Sequence, residues 1–192
     1  MSHESIRTIH EEHATLSALL RSLDWMVRQG PKENIAAFFE VLRAMLFYID
    51  EFPERQHHPK ETELLFPPVA ARDAQAAAAI AQLDQDHARG ESEVRELQHL
   101  LLAWELLGEP RRAAFEQALA RYLVFYGAHM HLEESVVIPA ALRVLTDADW
   151  ARLDAAFATN RDPLSGKYPR DPVYDRLFSQ ILSKAPAPIG LG

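Results

Sequence analysis

The feature that most limits the fold is a His followed four positions later by Glu, recurring inside long apolar-periodic segments. It occurs as His57 and Glu61, His87 and Glu91, and His129 and Glu133, more often than chance placement of these residues would give. At that spacing both side chains leave the same face of a helix, about one turn apart. A polar pair on an inward face needs a partner, and a metal bound between packed helices is one such partner. The recurrence suggests a fold in which several helices meet at these pairs.

Four long helical stretches are predicted. Over residues 6–29, Ile6, Ile9, Leu16, Leu20, Leu23 and Met26 form a stripe that also holds His13, and Gly30-Pro31 ends it. The second helix starts near residue 32 and carries Ile35, Phe38, Phe39, Leu42, Met45, Leu46 and Ile49. A proline inside a helix removes a hydrogen bond and clashes with the preceding turn. Pro53 and Pro59 thus predict a break or sharp bend between Phe52 and His58, with Pro59 opening a short new piece that holds Glu61. The third helix covers 71–107, with Asp73 as N-cap and an alanine run at 76–79. Gly90 within it either admits a close approach or has no role. The fourth covers 111–145 and is kinked at Pro139. Short links between long helices imply an all-α fold, an antiparallel up-down-up-down four-helix bundle over residues 1–146.

Residues 147–192 read as a C-terminal extension of two short helices. One is capped at Thr146-Asp147 and ends near Phe157; the other is opened by Asp171-Pro172, after a turn-rich loop at 160–166. Their apolar sides (Trp150, Leu153, Phe157; Leu177, Ile181, Leu182) need cover, from the bundle or from a second copy in a homo-oligomer. The last eight residues are expected to fray.

In an antiparallel bundle, residues equally far from a shared turn lie at one depth. His87 precedes Leu107 by 20 residues and His129 follows Pro110 by 19, so the two align within about 2 Å at a rise of 1.5 Å per residue. His13 precedes Gln29 by 16, but His57 follows Lys32 by 25, too far for one continuous helix. A break at Pro53 resolves the mismatch. His13, His57, Glu61, His87, His129 and Glu133 then form one cluster. Four imidazoles and two carboxylates exceed the four ligands of a usual zinc site. They suit two iron or manganese ions bridged by carboxylates. Glu91 either adds a seventh ligand or pairs with Arg95 at the surface. His58, next to His57, points elsewhere on a regular helix; Tyr126 packs or lends its hydroxyl; Trp25 and Trp104 are core.

Composition removes several function classes. The net charge is −8 with no long basic run, so the electrostatic footprint for nucleic acid is missing. No segment has the ~20 apolar residues of a membrane span. With no Cys there are no disulfides and no thiolate ligands, which fits a reducing compartment. The first residues lack a signal-peptide pattern, and the expected location is cytoplasmic.

Taken in order, Glu12-His13, His57-His58-x-Lys60-Glu61 before Leu65-Phe66-Pro67, His87, and His129-x3-Glu133-Glu134 before Pro139 resemble the bacterial hemerythrin-like family of HHE cation-binding domains. The likeness covers about residues 5–145. It implies a non-haem di-iron centre with His13, His57, His87 and His129 as terminal ligands. Glu61 and Glu133 would bridge the ions beside an oxo or hydroxo group, with manganese or zinc as alternative metals. It also implies binding, sensing or reaction of a small ligand such as oxygen, peroxide or nitric oxide. The contrasting reading is a metal-stabilised helical module for protein interaction or iron handling. Oxygen-carrying members have five His, two of them four apart on the third helix. Here Glu91 stands at the second of those positions and Glu133 replaces an Asp, which favours reactive chemistry over simple oxygen carriage.

Overall fold

Nine α-helices account for most of the residues described in the computed structural model (3–160, 162–164 and 172–192), and no strand occurs among them. They are α1 (Glu4–Gln29), α2 (Ile35–Ile49), α3 (His58–Lys60), α4 (Phe66–Arg72), α5 (Ala74–Leu107), α6 (Arg112–Leu132), α7 (Ile138–Val144), α8 (Asp147–Phe157) and α9 (Asp175–Lys184). The boundaries follow local chemistry. Asn34 accepts from the Ala37 N–H to start α2, and Asp73 accepts from the Gln75 and Ala76 N–H groups to start α5. Thr146 and Asp149 form a reciprocal capping box on α8. At the end of α1, Gly30 takes φ +70°, with the Arg112 guanidinium packed where a side chain would stand.

The disturbance expected between Phe52 and His58 is present, with Pro59 at the start of a new α-helical piece, but as a widened turn and not as a chain break. The backbone stays helical from Ile35 to Arg72 but widens twice into π-helical turns, Asp50–His57 and Glu61–Leu65. A third such turn, Glu133–Val137, joins α6 to α7. Pro59, Pro67 and Pro139 each lie just beyond one of these turns, at the first or second position of an α-helical piece. A proline ring cannot tolerate the carbonyl four residues earlier. Opening the preceding turn to an i→i+5 pattern removes that clash without ending the helix. At Pro139, where the sequence predicts a kink, the same device appears.

The long helices form a closed ring of neighbours: α1 against α2 and α6, and α5 against α2 and α6. That ring is consistent with a four-helix bundle. Its interior is two apolar clusters separated by a polar belt. One cluster holds Leu16, Leu42, Phe52, Val94 and Tyr126; the other holds Ile9, Leu65, Leu83 and Val137. On every long helix the His and Glu positions fall between the two. Burying an apolar side chain contributes about 1.5–3 kcal/mol, so the clusters stabilise the bundle on both sides of a belt that is itself expensive to bury.

The extension joins these same clusters. Trp150, Leu153 and Phe157 of α8 pack into one, and Ile181 with Ala185 into the other. Asp154 of α8 accepts from the Ser5 N–H and hydroxyl, capping α1 from a distance. Asp171 and most of the preceding loop lie outside the described residues. The tail is not frayed: Pro186 accepts from the Ser22 hydroxyl, and the N–H groups of Leu191 and Gly192 donate to Leu182 and Ala185. Trp25, expected in the core, is 46% exposed. No helix of the described chain is long and apolar enough to cross a membrane.

Candidate metal centre

The belt contains two adjoining groups of ligand atoms. His13, His57, Glu61 and Glu133, all buried, offer atoms within 4.8 Å of one another; so do His58, His87 and His129. The six residues that the sequence placed in one cluster are thus brought together, divided between two pockets. His58 is a seventh member that sequence reasoning set aside. His57 and His58 meet at the junction of the first π turn with α3. Successive helical residues diverge by about a quarter turn, so one imidazole serves each pocket. His58 stacks on the His87 ring at 4.1 Å.

Glu91 is not brought to either pocket. Its side chain is 47% exposed and is ion-paired with Arg95. The inward stripe of α5 runs Leu83, His87, Gly90, Val94, stepping by three after His87 instead of four. The position facing inward is therefore Gly90. A Cβ there would stand 2.9 Å from Glu54 Oε1 and 3.1 Å from the Tyr126 hydroxyl. Glu54 is the second residue missed in the sequence. Its carboxylate accepts from the Tyr126 hydroxyl and lies 3.1 Å from His58 Nδ1. A signal was present, since Glu54 precedes His58 by four residues, the reverse order of the pairs used above.

Four of the five imidazoles are oriented through Nδ1, three by a residue on another segment and His58 by Glu54 one turn earlier. Glu12 takes His57 Nδ1 at 2.6 Å, Glu134 takes His13 Nδ1 at 2.9 Å, and Glu54 takes His58. The Thr62 hydroxyl donates to Asp84 at 3.1 Å, so it accepts from His87 Nδ1 at 2.9 Å. Asp86 lies 3.8 Å from His129 Nδ1, beyond hydrogen-bond range. Three of the orienting residues adjoin a ligand in sequence: Glu12 precedes His13, Thr62 follows Glu61 and Glu134 follows Glu133. Engaging Nδ1 leaves Nε2 facing the belt, the usual support of a metal-bound His.

The inward atoms have no such partners. Among the described residues, His57 Nε2, His87 Nε2, both nitrogens of His129 and all four carboxylate oxygens of Glu61 and Glu133 are buried without a hydrogen bond. Yet Glu61 Oε1 is 2.6 Å from His57 Nε2, and its Oε2 is 3.5 Å from His87 Nε2. Glu61 therefore spans both pockets. Atoms this close that fail hydrogen-bond geometry converge on shared points instead of on each other, as ligands of a cation do. Buried native polar groups are rarely left unsatisfied, so the donor set fits a bound metal.

The two pockets differ electrostatically. Burial, reinforced by the neighbouring imidazoles, holds His58 and His87 far below the usual histidine value, and burial holds His129 below it. They stay neutral, the form that donates a lone pair to a metal. In the other pocket burial opposes the charge on His13, but Glu133 and Glu134 outweigh it and lift the imidazole to about 9. Burial and the adjoining Glu133 carboxylate push Glu61 up to about 8, whereas the His13 contact overcomes burial at Glu133 and holds it low. Burial raises Glu54 to about 7.

Beside the belt is a cavity with about 20 Å³ of room, bounded by His13, His57, His58, His129, Tyr126 and Met130. One water needs about 10–15 Å³ on this measure, so the space suits a small ligand of a few atoms.

A search among curated proteins returned no match to this chain. The family model described as the hemerythrin HHE cation-binding domain matches residues 4–141, a span containing all seven inward His and Glu residues. With that match across most of its length, the chain belongs to the hemerythrin HHE cation-binding domain family.

Proposed function

We propose that the chain holds two metal ions, one in each pocket, with Glu61 and Glu133 between them, and that iron is the metal it uses. The convergence of unpartnered, buried Nε2 and carboxylate atoms carries this reading. The family is a cation-binding one, typically of iron, and mixed nitrogen and oxygen donors also admit manganese or zinc. His58 brings the imidazoles to five, the number that oxygen-carrying members possess, though from a different position. Glu91 is left out of the proposed ligand set.

When bound, a pair of iron ions supplies a redox centre for oxygen, peroxide or nitric oxide. The residues around it decide what reaches it. The size of the cavity favours a ligand of a few atoms. Leu16, Phe52 and Met130 give it apolar walls, limiting water beside the centre. The Tyr126 hydroxyl donates to Glu54, at the His58 side of the cavity. The Nδ1 partners keep the imidazoles of His13, His57, His58 and His87 from turning away. We therefore read the function as binding, sensing or reaction of a small diatomic or peroxide-like ligand. The ultraviolet–visible spectrum of aerobically purified protein tests this: near-ultraviolet iron absorption that changes on adding azide or peroxide is expected. A colourless, metal-poor protein would contradict it and favour a helical interaction module.

A further inference from the structure

The family match stops at residue 141, yet the wall of the cavity is completed by residues beyond it. Asn160 and Asp162, which follow α8, both line the cavity and are 2% and 5% exposed. Asn160 Nδ2 donates to both oxygens of Glu12 at 3.0 Å, and Glu12 accepts from His57 Nδ1. Asp162 accepts from the buried Tyr48 hydroxyl at 2.8 Å across the same cavity. Two more contacts pin this corner to the His57 segment. The Phe157 ring meets the His57 ring edge-on at 5.6 Å, and the Lys60 ammonium donates to the Thr159 hydroxyl.

We propose that Asn160 is a positioning residue of the metal centre, acting through Glu12 on His57, so that the extension is a working part of the site. Glu12 sits on α1 with two equivalent oxygens and could present either to His57. A side-chain amide bonded to both fixes the carboxylate plane, and with it the His57 ring and the direction of Nε2. Asn160 Oδ1 is buried and accepts no hydrogen bond among the described residues. The hydrogen bonds of its side chain therefore go to Glu12 alone. The inference rests on the two-ion reading above.

The test is a double-mutant cycle on the full-length chain, with Asn160→Leu and Glu12→Gln as the single variants. Zinc affinity is measured by competition with a chromogenic chelator, and the azide complex of the iron-loaded protein by absorption. Leu keeps the bulk of Asn but has no donor. Asn160→Leu is expected to lower zinc affinity by about tenfold, the low end of the cost of losing an outer partner of a metal-bound His. It should also shift the azide band while helix content stays at the wild-type level. The double variant should be no worse than Glu12→Gln alone, because both act on one ring. Additive losses would overturn the inference. So would an effect of Asn160→Ala that Asn160→Leu does not share, since that marks packing alone. If Asn160→Leu does not fold, the cycle is run with Asn160→Ala and additivity decides. Wild-type protein holding fewer than two ions would instead overturn the two-ion reading itself.

Discussion

The two pockets of the belt are built from the same helices yet are chemically unlike. The His58, His87 and His129 pocket has imidazoles alone, depressed and neutral; the His13, His57, Glu61 and Glu133 pocket sets two carboxylates against raised imidazoles. One is preformed for a cation by removing charge, the other by supplying it. The difference traces to the π turns. Glu61 and Glu133 each open one, and adjacent His57 and His58 part company at the end of another. Such turns frequently mark functional sites, and here they allow prolines and ligands to share one helix.

The largest effect should come from Glu61, the group that spans both pockets. Glu61→Ala is expected to abolish binding of both ions, well beyond the 10–100-fold cost of losing an outer partner. Metal analysis after dialysis checks it; retention of one ion at wild-type affinity would show that Glu61 serves one pocket alone.

The pockets should also answer pH in opposite senses once metal is stripped away. His13 is raised from 6.5 to about 9 and Glu61 from 4.5 to about 8, so both hold protons in the folded state that the unfolded chain has lost. The contribution of His13 therefore falls as pH rises from 6.5 to about 9, and that of Glu61 as it rises from 4.5 to about 8. His58, His87 and His129 are depressed and stay neutral when folded, so their contribution falls as pH drops below 6.5, where the unfolded imidazoles take up protons. Thermal melts of the stripped protein should peak near pH 6.5, and saturating metal should raise the melting temperature most on the alkaline side, where proton competition is least. A stripped protein most stable at pH 9 would contradict the assignment.

The smallest effect is expected at Glu91. Glu91→Ala removes an exposed ion pair worth under about 1 kcal/mol, and should leave metal content and the azide spectrum unchanged. A lost ion would return Glu91 to the centre.

The helices and the six-residue cluster were legible because both rest on periodicity: apolar residues and His–Glu pairs recur at spacings that one helix face requires. The same periodicity misled where a residue sat between faces. After His87 the inward stripe of α5 steps to Gly90, which no pairing rule at a spacing of four reveals, so Glu91 seemed to point inward. The prolines signalled a disturbance, but a break and a widened turn cost similar local hydrogen bonding, and only packing decides between them. His58 and Glu54 were hidden by that choice, since a regular α-helix puts His58 off the face of His57. Glu12 and Glu134 were visible beside ligands, yet their role depends on which helix lies opposite. Asn160 had no sequence signal at all, because its partner is 148 residues away.

The most direct test of a two-pocket centre is iron stoichiometry in wild-type and His58→Ala protein, reconstituted anaerobically and measured per chain. Two unlike pockets require two irons in the wild type, with one tightly held iron remaining in His58→Ala, in the pocket of His13, His57, Glu61 and Glu133. A wild type that saturates at one iron, or a His58→Ala variant that still binds two with unchanged affinity, would contradict it.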